Sequence, residues 1–272
     1  MKLALYIALA GLPALAQTPD IDDIMSRVAA NQAKSVEARK QYVYQQEQLV
    51  RVLRANGKLA REEKREYTVT PKARGERKHM TAFEGKYEDH GQLTSYYHSG
   101  HEGKRIDIDG ALVTAFDDES DDGIPHDLFP LTAREQRLYS YKLEGGETYR
   151  GRQVYRVGFE PNHQHDKDGD EGSWKGVALI DAEEFQPVQV TTDLGWKVPL
   201  AVRIVLGTNV RGVGFTVSYQ RMPDGIWFPA SFGGEFEVRA VFFYRRTISV
   251  NLKNSDFRRT DVVSTVAFDK DK

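Results

Sequence analysis

The feature that most constrains this chain is a long run of alternation near its C-terminus. Phe236, Val238, Ala240, Phe242, Tyr244, Ile248, Val250 and Leu252 all occupy even positions, interrupted only by Arg246. Successive side chains of an extended chain point to opposite faces, so this text describes a surface with one apolar and one wetter side. Val213, Phe215, Val217 and Tyr219 alternate in the same way with Gly214, Thr216, Ser218 and Gln220. Read as one strand, the stretch after Gly233-Gly234 is long enough to require a strong bend. A long curved sheet with one apolar face is part of a barrel.

Turn chemistry fixes how such strands connect. Asn56-Gly57 separates Tyr42–Ala55 from Lys58–Thr70, and Asn-Gly is a strong hairpin signal. Asp109-Gly110 is expected to join Lys104–Ile108 to Ala111–Phe116, and Gly145-Gly146 to divide Tyr139–Glu144 from Glu147–Tyr149. Pro223-Asp224-Gly225 joins Val213–Arg221 to Ile226–Phe228. Hairpins in series describe an antiparallel meander rather than strand–helix–strand units. The 11% aromatic content agrees, because strands favour aromatic side chains.

Two helices interrupt the strands. Asp20 caps the first, which runs from about Asp20 to about Gln41, with Ile21, Ile24, Met25, Val28 and Val36 near one face. A lone helix with one apolar stripe needs a sheet to lie against, so it is the expected plug of the open side. Thr132 and Glu135 form a capping box ahead of Ala133–Leu138, a helix of one or two turns. The fold expected is mainly β with few helices: a curved antiparallel sheet forming an incomplete half β-barrel, covered by an N-terminal helix and a short mid-chain helix.

The N-terminus reads as a secretory signal. Lys2 precedes the apolar run Leu3–Leu15, and Ala14-Leu15-Ala16 has the small-x-small form that a signal peptidase cuts. Cleavage after Ala16 leaves 272 − 16 = 256 residues, read as a single domain over 17–272, periplasmic or secreted and with no second long apolar stretch. The absence of cysteine excludes disulfides, thiolate metal sites, cysteine nucleophiles and a lipid-bearing cysteine. With 38 basic and 40 acidic residues the net charge of −2 supplies no field favouring nucleic acid or an anionic membrane.

One stretch carries a family pattern. Gly151-Arg152-Gln153-Val154-Tyr155-Arg156-Val157-Gly158-Phe159-Glu160-Pro161 is followed, after a polar loop, by Gly176-Val177-Ala178-Leu179-Ile180-Asp181 and then Phe185-Gln186-Pro187-Val188-Gln189-Val190. This order of strands resembles the LolA/LolB-like superfamily of outer-membrane lipoprotein carriers, as does the late Ile226-Trp227-Phe228-Pro229. The resemblance implies an incomplete barrel around an apolar cavity covered by helices, and a hydrophobic ligand. The acidic loops Asp117–Gly123 and His163–Gly172 and the long final strand depart from the family's simple carriers.

Several clusters invite chemistry. His98 and His101, with Glu102 or His90 near, suggest zinc, but the order is not His-Glu-x-x-His and a polar loop is the plainer reading. Asp166, Asp168 and Asp170 have the first spacings of a calcium loop, which then fails at Glu171, where glycine belongs, and at Val177, where glutamate belongs. No Gly-x-Ser-x-Gly elbow or phosphate loop is present. Arg246 falls on the apolar face, where an unpaired guanidinium is costly. It either anchors a ligand headgroup or an internal carboxylate inside the cavity, or sits on a bulge or at the barrel mouth; a bulge or a place at the mouth is the reading preferred here. Phe215, Val217, Tyr219, Val238, Phe242 and Tyr244 are the apolar cavity candidates together with Trp227, while Trp174 and Trp196 read equally as core. The functional expectation is a non-enzymatic envelope protein, needing no cofactor, that binds a lipid, an acyl chain or a lipoprotein. The alternative is a sensor or assembly module that binds an envelope protein with the same half-barrel.

Overall fold

Helix α1 spans Ile21–Arg39, where Asp20 Oδ1 accepts from the Ile21 N–H at 2.7 Å, with Asp22 and Asp23 in the first turn and Arg39 in the last. Both charges suit the ends of the helix dipole they occupy. The computed structural model describes residues 19–72, 76–97, 109, 110, 113, 132–162, 174–194, 210–240 and 244–260. The expected signal segment, Trp196, Phe242, both acidic loops and the histidine and aspartate clusters at His98, His101, Asp166, Asp168 and Asp170 lie outside these residues.

The strands are β1 (Tyr42–Arg54), β2 (Leu59–Pro71), β3 (Glu76–Asp89), β4 (Gln92–Tyr96), β5 (Tyr139–Tyr149), β6 (Arg152–Pro161), β7 (Trp174–Asp181), β8 (Pro187–Leu194), β9 (Val210–Arg221), β10 (Trp227–Ala240) and β11 (Tyr244–Arg259). A one-turn helix α2, Ala133–Gln136, precedes β5 and carries the Thr132–Glu135 capping box in full. The strands form one antiparallel sheet in the order β4-β3-β2-β1-β11-β10-β9-β8-β7-β6-β5. It does not close, since β4 and β5 are its two edges. Those edges are consecutive among the described strands, β4 ending at Tyr96 and β5 starting at Tyr139. Asp109, Gly110 and Val113 lie between them in the chain, and Val113 is fully buried against Val50, Val52, Ile248 and Val250 at the centre of the sheet.

Four sequence expectations are corrected. The alternating stretch Phe236–Leu252 is a hairpin, with Ala240 opposite Tyr244 and Phe236 opposite Ile248. Even residues face even residues across it, so the alternation reads straight through the connection. Gly145-Gly146 lies inside β5 at a register shift, and the turn falls at Arg150-Gly151, whose φ values of 48° and 80° fit a two-residue turn with both centres left-handed. Asp109-Gly110 is helical instead of a hairpin turn. Val36, placed near the apolar stripe, is 36% exposed.

Candidate functional site

The inner face of the sheet is covered in two places. Ile24, Met25 and Val28 of α1 pack on Val157, Phe159, Ala178, Ile180, Val190, Phe215 and Val217, over the β6–β9 side. Each such side chain stabilises by about 2 kcal/mol when taken from water. Val113 covers the β1–β11 side. Phe232 touches both clusters and stacks on Phe215 with ring centres 5.3 Å apart. Along β10 and β11 the inner row continues through Gly234, which adds no side chain, to Phe236 and Tyr244. Phe232, Phe236 and Tyr244 are only half-buried, and Phe236 and Tyr244 pack against the Val113 cluster.

One end of this line is closed by an ion pair. Arg246 sits in register opposite Val238 and Arg54, with no bulge, so it does face inward. Its Nε donates to Asp109 Oδ1 at 2.8 Å and its Nη2 to Oδ2 at 3.2 Å. The guanidinium lies 4.4 Å from the Tyr244 ring centre, and the Tyr244 hydroxyl donates to Asp109 Oδ1 at 2.5 Å. The unbroken register leaves no bulge at Arg246, and the carboxylate that meets its guanidinium is that of Asp109.

The other end lies under the C-terminal half of α1. Ile24, Val28, Gln32, Ser35 and Arg39 recur at helical spacing on one face of α1, which turns from apolar to polar along its length. Gln32 donates to Gln186 at 2.5 Å, Gln186 donates to Ser35 Oγ at 3.1 Å, and Arg39 Nε donates to the Trp227 carbonyl at 2.8 Å. Arg39 Nη2 reaches Gln32 Oε1 only at 3.4 Å, and its guanidinium lies 5.7 Å from the Phe228 ring centre. Burial lowers the Arg39 pKa, against the raising effects of Tyr219, Glu76 and Tyr44. Tyr219 stands opposite Pro229, two residues beyond Val217, and burial pushes its hydroxyl up to about 12 against the pull of Arg39.

Between these ends, β1, β2 and β11 carry a polar band on the same face. Gln46 donates to Asn254 at 3.0 Å, Asn254 to the Pro229 carbonyl at 2.9 Å, Arg65 to Gln48 at 3.1 Å and to Glu63 at 2.5 Å, and Arg61 to Glu63 at 3.2 Å. Arg65 is 2% exposed. This band was not foreseen. Its signal is the parity of β2, where Glu63 and Arg65 share a face with the buried Tyr67 and Val69.

The proposed cavity residues are thus brought together only in part. Phe215 and Val217 are buried beneath α1, Tyr219 lies beside Arg39's end of the face, and Tyr244 lies at the Arg246 end. Val238 is placed by register alone, opposite Arg246 and Val210. Trp227 belongs to a separate cluster with Val154, Leu179 and Val188; Leu179 alternates with Ala178 and Ile180, which face α1. Its indole N–H donates to Glu184 at 2.9 Å, and Arg152 lies over its ring at 5.2 Å. No grouping of metal-ligating side chains occurs among the described residues, and none of the described helices is long and apolar enough to cross a membrane.

This arrangement defines an antiparallel half-barrel whose concave face is partly filled by its own chain. No family profile matches the sequence, and no curated protein matches it. Among solved structures the chain is similar to a DUF1329 family protein from Desulfovibrio piger, at 12% identity and a TM-score of 0.40, over 90% of this chain and 95% of that one. It is also similar to a LolA superfamily protein from Nitrosomonas europaea, at 10% identity and 0.36, over 90% and 96%. The Mycobacterium tuberculosis lipoprotein LppX aligns at 9% identity and 0.27, over 88% and 96%. Similarity at this level is one of outline.

Proposed function

We propose that this chain is exported to the cell envelope and binds an apolar, chain-shaped ligand, such as the acyl chain of a lipid or lipoprotein, along the concave face of its half-barrel. The observation that carries this reading is the inner-face row Phe232, Phe236 and Tyr244, three large aromatic side chains that are each only half-buried. From Pro229 to Val238 this line spans ten residues, nine residue-to-residue steps or about 30 Å of strand. Each methylene buried there contributes ~0.8 kcal/mol, so a few of them exceed the net ~1 kcal/mol of one hydrogen bond. The role is binding, without a catalytic step or cofactor. Export is supported by Lys2, the apolar run Leu3–Leu15 and Ala14-Leu15-Ala16, and a mature N-terminus at Gln17 is expected in periplasmic protein.

Titration of a fluorescent acyl probe into the mature protein tests the ligand. Phe236→Asp, shown folded by circular dichroism, should weaken binding at least tenfold. Unchanged affinity in the folded variant would remove this face as the site.

A second reading rests on the open sheet. β4 and β5 are edges in the described structure, and an edge strand offers unpaired backbone groups to an incoming strand. The chain would then be a sensor or assembly module for an envelope protein. A stable partner recovered without co-purifying lipid would favour it.

A further inference from the structure

The two ends of the aromatic line differ in one respect that decides which receives a charged group. At the β10–β11 turn end, Arg246 is matched by both oxygens of Asp109. At the α1 end, Arg39 has only neutral acceptors: the Trp227 carbonyl and, at 3.4 Å, Gln32. Arg39 makes no ion pair among the described residues, and its Nη1 has no hydrogen-bond partner among them. The Tyr219 hydroxyl likewise has no partner among the described residues. Neither group is sealed off, for neither is among the buried polar atoms that lack a partner, and both keep part of their surface accessible. Yet both are desolvated enough for burial to dominate their titration. Groups that are reachable and still deeply placed line a crevice rather than an outer surface.

Arg39 and Tyr219 also converge. Arg39 is tied to the backbone at Trp227 and lies against the Phe228 ring, while Tyr219 is paired in register with Pro229. Asn254 is bonded to the Pro229 carbonyl, which extends the polar surroundings across β11. The carboxylate whose charge reaches Arg39 is Glu76, and its Oε2 is engaged by the Tyr44 hydroxyl at 2.8 Å. It offsets part of the guanidinium's charge without closing over it.

We infer that Arg39 and Tyr219 form an oxyanion pocket under the C-terminal end of α1, which takes the carboxylate or phosphate headgroup of an amphiphile whose chain lies along β10. This rests on the apolar-ligand reading above and adds the ligand's charge, its polarity and its direction. A guanidinium supplies two parallel donors to an oxyanion, and a protonated tyrosine supplies a third. The simpler role for Arg39, tying α1 to β10, uses Nε; Nη2 has only the long 3.4 Å contact to Gln32, which a ligand oxyanion would replace.

The test compares cis-parinaric acid with its methyl ester, two fluorescent probes with the same chain, on the full mature protein. The wild type should bind the acid about tenfold or more tightly than the ester, the scale of a charge-assisted contact. Arg39→Gln should bring the two affinities to within about twofold while leaving that of the ester unchanged, and Arg39→Lys should keep part of the preference. Tyr219→Phe should reduce it without abolishing it. Equal binding of acid and ester by the wild type overturns the headgroup pocket and leaves apolar binding standing, as does a preference that survives Arg39→Gln. Failure of both probes to bind overturns the pocket and the apolar-ligand reading together. Acetate or inorganic phosphate binding alone, in the concentration range of the acid, would make this a free-anion site and overturn the amphiphile assignment.

Discussion

The Asp109–Arg246 pair ties Asp109, which lies between β4 and β5 in the chain, to the inner face of β11, and breaking it has a calculable cost. The side chains are 17% and 18% exposed, joined by two hydrogen bonds of 2.8 and 3.2 Å, with the Tyr244 hydroxyl as a third donor to the same carboxylate. Removing one partner of a fully buried pair costs about 3–5 kcal/mol, because the other charge is left without compensation. The water that reaches a group nearly one-fifth exposed reduces this, so Asp109→Leu should destabilise by about 2–3 kcal/mol. Arg246→Met leaves a carboxylate that still accepts from Tyr244 and should cost less. The double variant should recover part of the loss, giving a coupling of about 2 kcal/mol in urea unfolding of the four proteins. A coupling under about 0.5 kcal/mol would mean that Asp109 is not held at Arg246, and would refute the reasoning.

Other outcomes follow from the same structure. Ile24 is fully buried at the α1–sheet interface, so Ile24→Ala should cost about 2–5 kcal/mol, read as a lower urea midpoint; a loss under about 1 kcal/mol would place α1 elsewhere. A Cβ at Gly85 would fall 2.1 Å from the Tyr96 ring, so Gly85→Ala should displace that ring from Glu63 and destabilise by about 1–3 kcal/mol; thermal melts unchanged from wild type would contradict the packing. For Glu184, burial raises the pKa but is outweighed by the Trp227 indole, Arg221 and Arg152, leaving it lowered. A lowered carboxylate stabilises the fold above the unfolded-state value near about 4.3, and that stability is lost as pH falls through the folded-state value. The fluorescence difference between wild type and Trp227→Phe should therefore change below about pH 4.3, and a transition above it would remove the Glu184–Trp227 contact from the account.

The parts of this fold that were legible in the sequence are those written in local chemistry. Asn56-Gly57, Pro223-Asp224-Gly225, the Asp20 cap and the Thr132–Glu135 box each specify a backbone geometry within a few residues, and each is found where expected. What was misread depends on partners distant in sequence. Alternation gives a residue's face but not its strand, because a connection that keeps even opposite even leaves the pattern unbroken between β10 and β11. Arg246 read as an unpaired charge until Asp109 was brought to it by the fold. Arg39 was not singled out in the sequence, because its surroundings at Trp227 and Phe228 come from β10, far along the chain. The buried Arg65–Glu63 pair was hidden in a charged strand whose outward neighbours, Glu62, Lys64 and Glu66, carry the same kind of side chain.

The central claim, that the concave face holds an apolar ligand, is met most directly by native mass spectrometry of the mature protein purified without detergent, with lipid extraction in parallel. The account predicts a defined acyl-containing adduct on the wild type that is lost from folded Phe236→Asp. A clean unliganded mass, unchanged after exposure to lipids, would contradict it and leave the open sheet edges as the working surface.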